Sequence, residues 1–126
     1  MTKKVLSAGN LPFSKAIIHD FKYTMEISGQ VGLNPSTGKL VDGIEKQTHQ
    51  SLDNIKSILE EVGWNFGDII KARIYLVDMD DYAKVNEIYK TYFSIDYPTR
   101  VALAIKALPL GALIEIECTA GRDSID

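Results

Sequence analysis

The sequence predicts one α+β domain in which two helices cover the same face of a single β-sheet. The chain has 126 residues, the length of one ordinary domain, so we treat residues 1–126 as one unit. Apolar residues recur at helical spacing in two segments and at strand spacing in six others. The predicted element order is β-β-β-α-β-α-β-β. Because strand–helix–strand connections in one sheet are almost always right-handed, both helices should lie on one face.

The first part of the chain predicts a short strand followed by a β-hairpin. The β-prone segments 16–18 and 23–29 flank the polar stretch 19–22, which is typical of two strands around a short turn. Residues 32–43 contain Asn-Pro-Ser-Thr-Gly at 34–38, and we expect a loop there.

Two segments show the periodicity of amphipathic helices. The first runs from Ile44 to Val62 with apolar residues at three- and four-residue steps, and Gly63 is a natural stop. Asp80 or Asp81 is expected to cap the second helix. The apolar side of that helix contains Tyr82, Val85, Ile88, Tyr89 and Tyr92.

Three further strands are predicted at 69–77, 101–107 and 113–120, and the last two are joined by residues 108–111. Because side chains alternate along a strand, neighbouring residues lie on opposite faces of the sheet. Val101, Leu103 and Cys118 are predicted to face the helix-covered core. Arg100, Ala102 and Glu115 are predicted to share the other face. That face is left to water or to another subunit, because both helices are already used.

Arg100 and Glu115 are the candidate catalytic pair. A guanidinium offers a planar fork that matches a carboxylate, and a neighbouring glutamate can move protons or orient water. The simpler alternative is a surface ion pair, which contributes little. In a simple hairpin the two residues would lie about four residues apart, or ~13 Å, which is too far for one small ligand. Either the two strands are not adjacent, or another subunit completes the site.

The composition excludes several classes of function. The formal net charge is −3 and no segment concentrates Lys and Arg, which argues against a dedicated nucleic-acid binder. Cys118 is the single cysteine, so no intrachain disulfide and no multi-thiolate metal site can form. No apolar run approaches the ~20 residues of a membrane span. We therefore expect a cytoplasmic protein.

Four spaced motifs stand out along the chain. They are Ser28-Gly29-Gln30-Val31-Gly32 with Pro35-x-Thr37-Gly38, Gln47-x-x-Gln50-Ser51-Leu52-x-Asn54-Ile55, Val85-Asn86-x-x-Tyr89 with Tyr92-Phe93 and Pro98-x-Arg100, and Leu108-Pro109 with Ile114-Glu115-Ile116-Glu117. Together they resemble the reactive intermediate deaminase family, the RidA-type imine deaminases, also known as YjgF-like proteins. The motifs lie in the order of that family, and the resemblance covers nearly the whole chain, from about Val5 to Ala120.

The resemblance implies a fold and an activity. The implied fold is chorismate-mutase-like, with three copies forming a trimeric barrel and ligand sites in the clefts between subunits. The implied activity is hydrolysis of 2-imino acids, such as 2-iminopropanoate and 2-iminobutanoate, to 2-oxo acids and ammonia, with no metal and no cofactor. A homotrimer with inter-subunit sites would also remove the distance problem between Arg100 and Glu115.

The resemblance also assigns roles to individual residues. Arg100 matches the carboxylate-binding arginine, and Glu115 matches the acidic residue that handles water or the leaving nitrogen. Ser28 and Asn86 match polar residues lining the cleft, although Asn86 could also belong to a solvated helix face. Two positions depart from the family pattern, because Phe13 stands where a tyrosine is common and Ala102 stands where a cysteine is common.

Two alternatives to an imine deaminase stay open at the level of sequence. The same cleft could hold a 2-oxo acid without turnover, as a binding or regulatory trimer. Ribonuclease and chaperone-like roles are also attached to the family, but the acidic net charge and the lack of a basic, aromatic surface weigh against RNA as a partner.

Overall fold

The computed structural model describes residues 3–126, which form eight β-strands, two α-helices and three short 3₁₀ turns. The elements are β1 (Lys3–Ser7), β2 (Ser14–His19), β3 (Tyr23–Val31), β4 (Leu33–Asn34), β5 (Lys39–Leu40), α1 (Gly43–Glu60), β6 (Ile69–Leu76), α2 (Tyr82–Lys90), β7 (Thr99–Ala104) and β8 (Ile114–Arg122). The mixed α+β class is as predicted. The pair β4 and β5 lies inside the segment that we expected to be a loop.

The main sheet has four strands in the order β3-β8-β6-β7. Strand β8 is antiparallel to both of its neighbours, whereas β6 and β7 are parallel and are connected through α2. Strands β1 and β2 form a separate antiparallel pair. This pair is joined to the start of β7, because the backbone N–H of Ser14 donates to the carbonyl of Pro98 at 3.0 Å.

The predicted hairpin around residues 19–22 is wrong. Strand β2 pairs with β1, where Ile17 lies opposite Val5, and β3 pairs with β8, where Tyr23 lies opposite Arg122. The connection between β2 and β3 thus carries the chain from one sheet to the other. Phe21 packs in this connection against Gly121, where an added Cβ would lie 2.5 Å from the phenylalanine ring. Local turn signals could not reveal this change of partner.

The last two strands do not form a simple hairpin, because β6 lies between β7 and β8. Ala72 of β6 has Arg100 of β7 on one side and Cys118 of β8 on the other. The crossover through α2 makes β7 parallel to β6, and β8 then pairs with the opposite edge of β6. The strands are therefore not adjacent, which was one of the two explanations offered for the distance between Arg100 and Glu115.

Both helices pack on the same face of the sheet, as predicted. Leu52, Ile55 and Leu59 of α1 are fully buried, as are Val85 and Tyr89 of α2. Gly63 follows α1 in the left-handed conformation with φ of 77°, which confirms it as the stop. The sheet contributes Ile27, Ala72, Ile74, Leu76, Ile114, Ile116, Cys118 and Ala120 to the core.

Polar side chains of α1 fasten the helix to the loops around it. Buried Gln47 donates from Nε2 to the carbonyl of Val41 at 3.0 Å and accepts from the N–H of Leu113 at 2.9 Å. Asn54 donates to the carbonyl of Leu33 at 2.9 Å and accepts from Gln50 at 2.8 Å. These motif residues therefore hold the backbone in place and do not line a ligand site.

The start of α2 differs from the prediction in its cap. Neither Asp80 nor Asp81 makes a side-chain capping bond to the helix. Asp78 instead accepts from the N–H of Asp80 at 2.9 Å and begins a 3₁₀ turn at 79–81 that leads into α2. No helix among residues 3–126 is long and apolar enough to cross a membrane.

The assignment of β7 side chains to the two faces is reversed relative to the prediction. Val101 and Leu103 are 46% and 40% exposed on the uncovered face. Arg100 and Ala102 lie beside buried Ala72 and Ile74, on the face that the helices cover. The prediction failed because it assumed that the apolar residues of an edge strand must face the core. Arg100 and Glu115 consequently lie on opposite faces of the sheet.

Candidate functional site

Arg100 lies on edge strand β7 within a frame of three aromatic rings. Its guanidinium carbon is 4.9 Å from the ring centre of Tyr89, and 5.6 Å from the ring centres of both Phe13 and Tyr82. Two of the rings come from α2, and the third comes from the segment before β2. The register of β7 with β6 points the arginine toward this frame. Cation–π attraction favours the guanidinium there.

The guanidinium makes one hydrogen bond within residues 3–126 and has no counter-anion there. Its Nη2 donates to the hydroxyl of Tyr82 at 2.9 Å, whereas its Nη1 is buried and has no hydrogen-bond partner. Among residues 3–126, no carboxylate lies within 4.0 Å of Arg100. Burying a charged donor without a partner is costly, which makes Nη1 of Arg100 the candidate contact for an anionic group.

Helix α2 brings two further polar groups to the same region. Residues 82, 86 and 89 follow each other at steps of four and three, so Asn86 lies on the helix face that carries the two tyrosines in contact with Arg100. Asn86 Oδ1 and the Tyr89 hydroxyl are both buried without a partner. Burial raises the pKa of Tyr89 and keeps its phenol neutral. Asn86 as a whole is half-buried, and its Oδ1 is the atom that is shielded from solvent.

Phe13 and Ala102 complete this first group of candidate residues. The ring of Phe13 lies beside the guanidinium of Arg100 and forms one wall of this region. Ala102 lies two residues after Arg100 on the same face and packs against the core. Both side chains present only apolar surface, so they shape the region without offering a hydrogen bond.

Ser28 and Glu115 form a second group on the opposite face of the sheet. The register of β3 with β8 shifts between Ile27 and Gln30, and this bulge contains Ser28 and Gly29. A Cβ added to Gly29 would lie 2.5 Å from Glu115 Oε2, so the carboxylate rests directly on the glycine backbone. The glutamate is held where only glycine leaves room for it. Ser28 is exposed beside it.

The two groups do not meet within one chain. From the strand register, the Cα atoms of Arg100 and Glu115 are about 14 Å apart, and their side chains diverge on opposite faces. A cavity of about 240 Å³ includes Arg100, but its other walls are Lys71, Ala72, Arg73, Thr99 and Val101. Neither Ser28 nor Glu115 belongs to it.

Sequence reasoning missed three residues of these groups. Tyr82 and Tyr89 were assigned to the apolar side of α2, although Asn86 between them marks a polar position on the same face. Gly29 was recognised only as part of a motif, and its contact with Glu115 depends on the bulge in β3. No sequence pattern could predict that contact, because residues 29 and 115 are far apart along the chain.

Cys118 is a core residue and is not a candidate nucleophile. Burial raises the pKa of the Cys118 thiol to about 12, and the charge of Glu117 adds to the effect, so the thiolate is scarce at neutral pH. The core position of Cys118 is as predicted. Among residues 3–126, no three His, Cys, Asp or Glu side chains are arranged to hold a metal ion.

Comparison with known proteins assigns the chain to a family. Residues 3–121 match the family model described as Endoribonuclease L-PSP. A RutC family protein of Pyrococcus horikoshii is 46% identical over 114 residues, which cover 89% of this chain and 88% of that protein. The 2-iminobutanoate/2-iminopropanoate deaminase of Mus musculus is 46% identical over 110 residues, which cover 86% of this chain and 80% of that enzyme.

Solved structures agree with this assignment. The crystal structure of RidA from Psychrobacter sp. is similar with a TM-score of 0.77 and 36% identity, over 94% of each chain. The crystal structure of Escherichia coli TdcF with bound serine has a TM-score of 0.77 and 32% identity, over 94% of this chain and 98% of that one. The chain belongs to the endoribonuclease L-PSP family, which includes the RidA and YjgF proteins.

Proposed function

We propose that this protein hydrolyses short 2-imino acids to 2-oxo acids and ammonia, in a site formed between copies of the chain. The observation that carries the proposal is the Nη1 of Arg100, a buried donor on a cation with no anionic partner among residues 3–126. A small carboxylate would supply the missing charge and acceptor, and guanidinium groups match carboxylates in shape.

The proposed reaction needs a bound imino acid and one water molecule. Arg100 holds the carboxylate, and the aromatic frame excludes bulk water and fixes the orientation of the carbon that reacts. The oxygen of a water molecule attacks the imine carbon while Glu115 accepts a proton from that water. Glu115 passes this proton to nitrogen, which gives an intermediate with one hydroxyl and one amino group on the same carbon. The hydroxyl proton is then carried to the nitrogen by Glu115 as the C–N bond breaks, so ammonia leaves and the C=O bond of the 2-oxo acid forms.

The separation of the two groups is the reason for proposing a shared site. Glu115 cannot reach a ligand held by Arg100 of its own chain, because about 14 Å and the sheet lie between them. The uncovered face exposes Val101 and Leu103 beside a polar surface, where Glu26 accepts from Thr119 and Glu117 accepts from Tyr75. We propose a homotrimer in which Arg100 faces Glu115 of the partner subunit.

The relatives support the activity at the level of the family. Proteins of Mus musculus and Homo sapiens named 2-iminobutanoate/2-iminopropanoate deaminase are 46% and 43% identical to this chain. TdcF was crystallised with serine, and an amino acid carries the carboxylate that we propose for Arg100. Other relatives have only the RutC family name. The choice of short 2-imino acids as substrates is therefore our proposal.

A non-catalytic carboxylate binder is the second candidate function. It is favoured by two side chains near Arg100. Phe13 lacks the hydroxyl of a tyrosine, and Ala102 lacks the thiol of a cysteine, at positions where the family commonly has those residues. The binder and the enzyme share the role of Arg100 and differ only in the role of Glu115. The net charge of −3 gives no such support to RNA cleavage.

Substitution of Arg100 tests the proposal. Arg100→Ala should reduce kcat/KM for 2-iminobutanoate by about a hundredfold or more, because a hydrogen-bonded charge pair is lost. Arg122→Ala is the matched control, since Arg122 also lies over an aromatic ring, that of Trp64, but is paired with Asp68. Full activity of the Arg100→Ala protein would contradict the proposal. Binding of 2-oxobutanoate by a wild-type protein without turnover would favour the non-catalytic binder.

A further inference from the structure

We infer that Tyr82 is a positioning residue that fixes the orientation of the Arg100 guanidinium for the anionic ligand. The inference rests on the proposed function for the identity of the ligand. It rests on the structure alone for the contact, because Arg100 Nη2 donates to the Tyr82 hydroxyl at 2.9 Å.

The aromatic frame alone does not fix how the guanidinium is turned. Cation–π attraction depends on the distance to the ring face and is only weakly directional within the plane of the cation. Phe13 and Tyr82 lie at the same distance of 5.6 Å, so the rings hold the group from several sides without selecting one nitrogen for the ligand. A directional hydrogen bond is needed for that selection.

Only one hydroxyl of the frame makes this bond. Phe13 has no hydroxyl, and the Tyr89 hydroxyl is buried without any partner. Tyr82 is therefore the one side chain among residues 3–126 that forms a hydrogen bond with the arginine side chain. With Nη2 engaged in this way, Nη1 is the nitrogen left as a buried free donor.

The position of Tyr82 suits a fixed anchor. It is the first residue of α2 and follows the 3₁₀ turn that begins at Asp78. Its side chain is half-buried and packs against the core. The helix therefore fixes the direction of the hydroxyl, and the hydroxyl fixes the direction of a longer and more flexible arginine. Less conformational freedom is then lost when the ligand binds.

The experiment compares the wild-type protein with Tyr82→Phe, which removes the hydroxyl and keeps the ring. Rotation of the Arg100 guanidinium is measured from its Nη signals in ¹⁵N NMR spectra without ligand. Affinity for 2-oxobutanoate, and kcat and KM for 2-iminobutanoate, are measured separately. Tyr92→Phe is the control, since it also removes a hydroxyl bond, made to Asp53 at 2.7 Å, outside the aromatic frame.

We expect separate Nη signals for Arg100 in the wild-type protein and averaged signals in Tyr82→Phe. Kd for 2-oxobutanoate and KM should rise about five- to tenfold, and kcat should stay within about twofold, as for the loss of one bond that orients the anchor. Tyr92→Phe should leave all of these values unchanged. A merely structural role of Tyr82 would lower the melting temperature without averaging the Nη signals.

Two results would overturn the inference: averaged Nη signals in the wild-type protein, or separate signals that persist in Tyr82→Phe. Both are read without ligand, so they decide the role of Tyr82 even if the protein binds no carboxylate. Failure of the wild-type protein to bind 2-oxobutanoate and to hydrolyse 2-iminobutanoate would instead contradict the proposed function.

Discussion

At the scale of single residues, Arg100 shows how a charge can be kept near a core without a counter-ion. Three rings and one phenol hydroxyl surround it, yet Nη1 is buried and free. A carboxylate on a neighbouring strand would have removed this cost, and among residues 3–126 none is supplied within 4.0 Å. The buried charge of Arg100 thus lacks a partner that a bound anion or another chain could supply.

Gly29 offers a prediction at the same scale. Gly29→Ala should reduce kcat at least about tenfold, because the added Cβ would lie 2.5 Å from Glu115 Oε2 and displace the carboxylate that we propose to activate water. The melting temperature should change little, since the displaced atoms end a flexible side chain. The measurements are steady-state kinetics and a thermal melt.

Gly32→Ala is the matched control for this prediction. Its added Cβ would meet the backbone of Gln47 in α1 at 2.7 Å, and a helix backbone cannot move aside easily. This variant should lose about 2 kcal/mol or more of folding stability. If Gly29→Ala keeps full activity, the position of Glu115 is not important for the reaction.

Side-chain chemistry can be predicted from the sequence, whereas the geometry around a side chain cannot. Arg100 and Glu115 are predicted from their chemistry and strand position, and Ser28 and Asn86 from the family motifs, and their roles in a site stay predictions. The face of Arg100 was wrong, because alternation only says that neighbours differ. Which of them faces the core was decided by pairing with Ala72, which the sequence does not encode locally.

At the scale of elements, Tyr92 links α1 to the turn that follows α2. Its hydroxyl donates to Asp53 of α1 at 2.7 Å, and its ring packs on Phe66 with centroids 5.3 Å apart. Burial raises the pKa of Tyr92, and the hydrogen bond to Asp53 and the charge of that carboxylate raise it further. The link therefore depends on a protonated phenol.

The pH dependence of folding stability should report this link. A tyrosine whose pKa is higher in the folded protein adds stability that is fully present below its ordinary pKa of about 10 and is lost as the pH rises through the folded value. The difference in melting temperature between wild type and Tyr92→Phe should thus be constant from pH 7 to about 9.5 and shrink above about pH 10.

The comparison with Tyr92→Phe is needed because Tyr75 and Tyr89 also have raised pKa values. Their contributions are lost in the same direction and are present in both proteins, so they cancel in the difference. A difference that stays constant to pH 11 would show that the link does not depend on the protonated phenol.

Elements with strong periodicity were predicted well, and their partners were not. Both helices were found where expected, and so was each of the three strands that contribute most to the core. The predicted hairpin of β2 with β3 was wrong, because β2 pairs with the preceding strand β1, whereas β3 pairs with β8, which is distant in the chain. A short connection favours pairing of consecutive strands, but the connection between β2 and β3 passes from one sheet to another, and β6 separates β7 from β8.

At the scale of the whole molecule, the sheet separates two half-sites. The helix-covered face holds Arg100 with its aromatic frame, and the uncovered face holds Glu115 on Gly29. If Arg100 binds the carboxylate and Glu115 is the base, as we propose, one chain cannot bring both residues to the same ligand. Closed rings of identical chains join two different surfaces at each contact, so a trimer would bring the two half-sites together three times.

Mixing two inactive variants tests this central claim most directly. Arg100→Ala and Glu115→Gln are each expected to lack deaminase activity. Co-refolded in equal amounts, they should recover about a quarter of wild-type activity, because a random trimer regains a complete site wherever an intact Arg100 meets an intact Glu115 of the partner subunit. Each variant refolded alone is the control. No recovery in mixtures that form trimers would contradict a site shared between subunits.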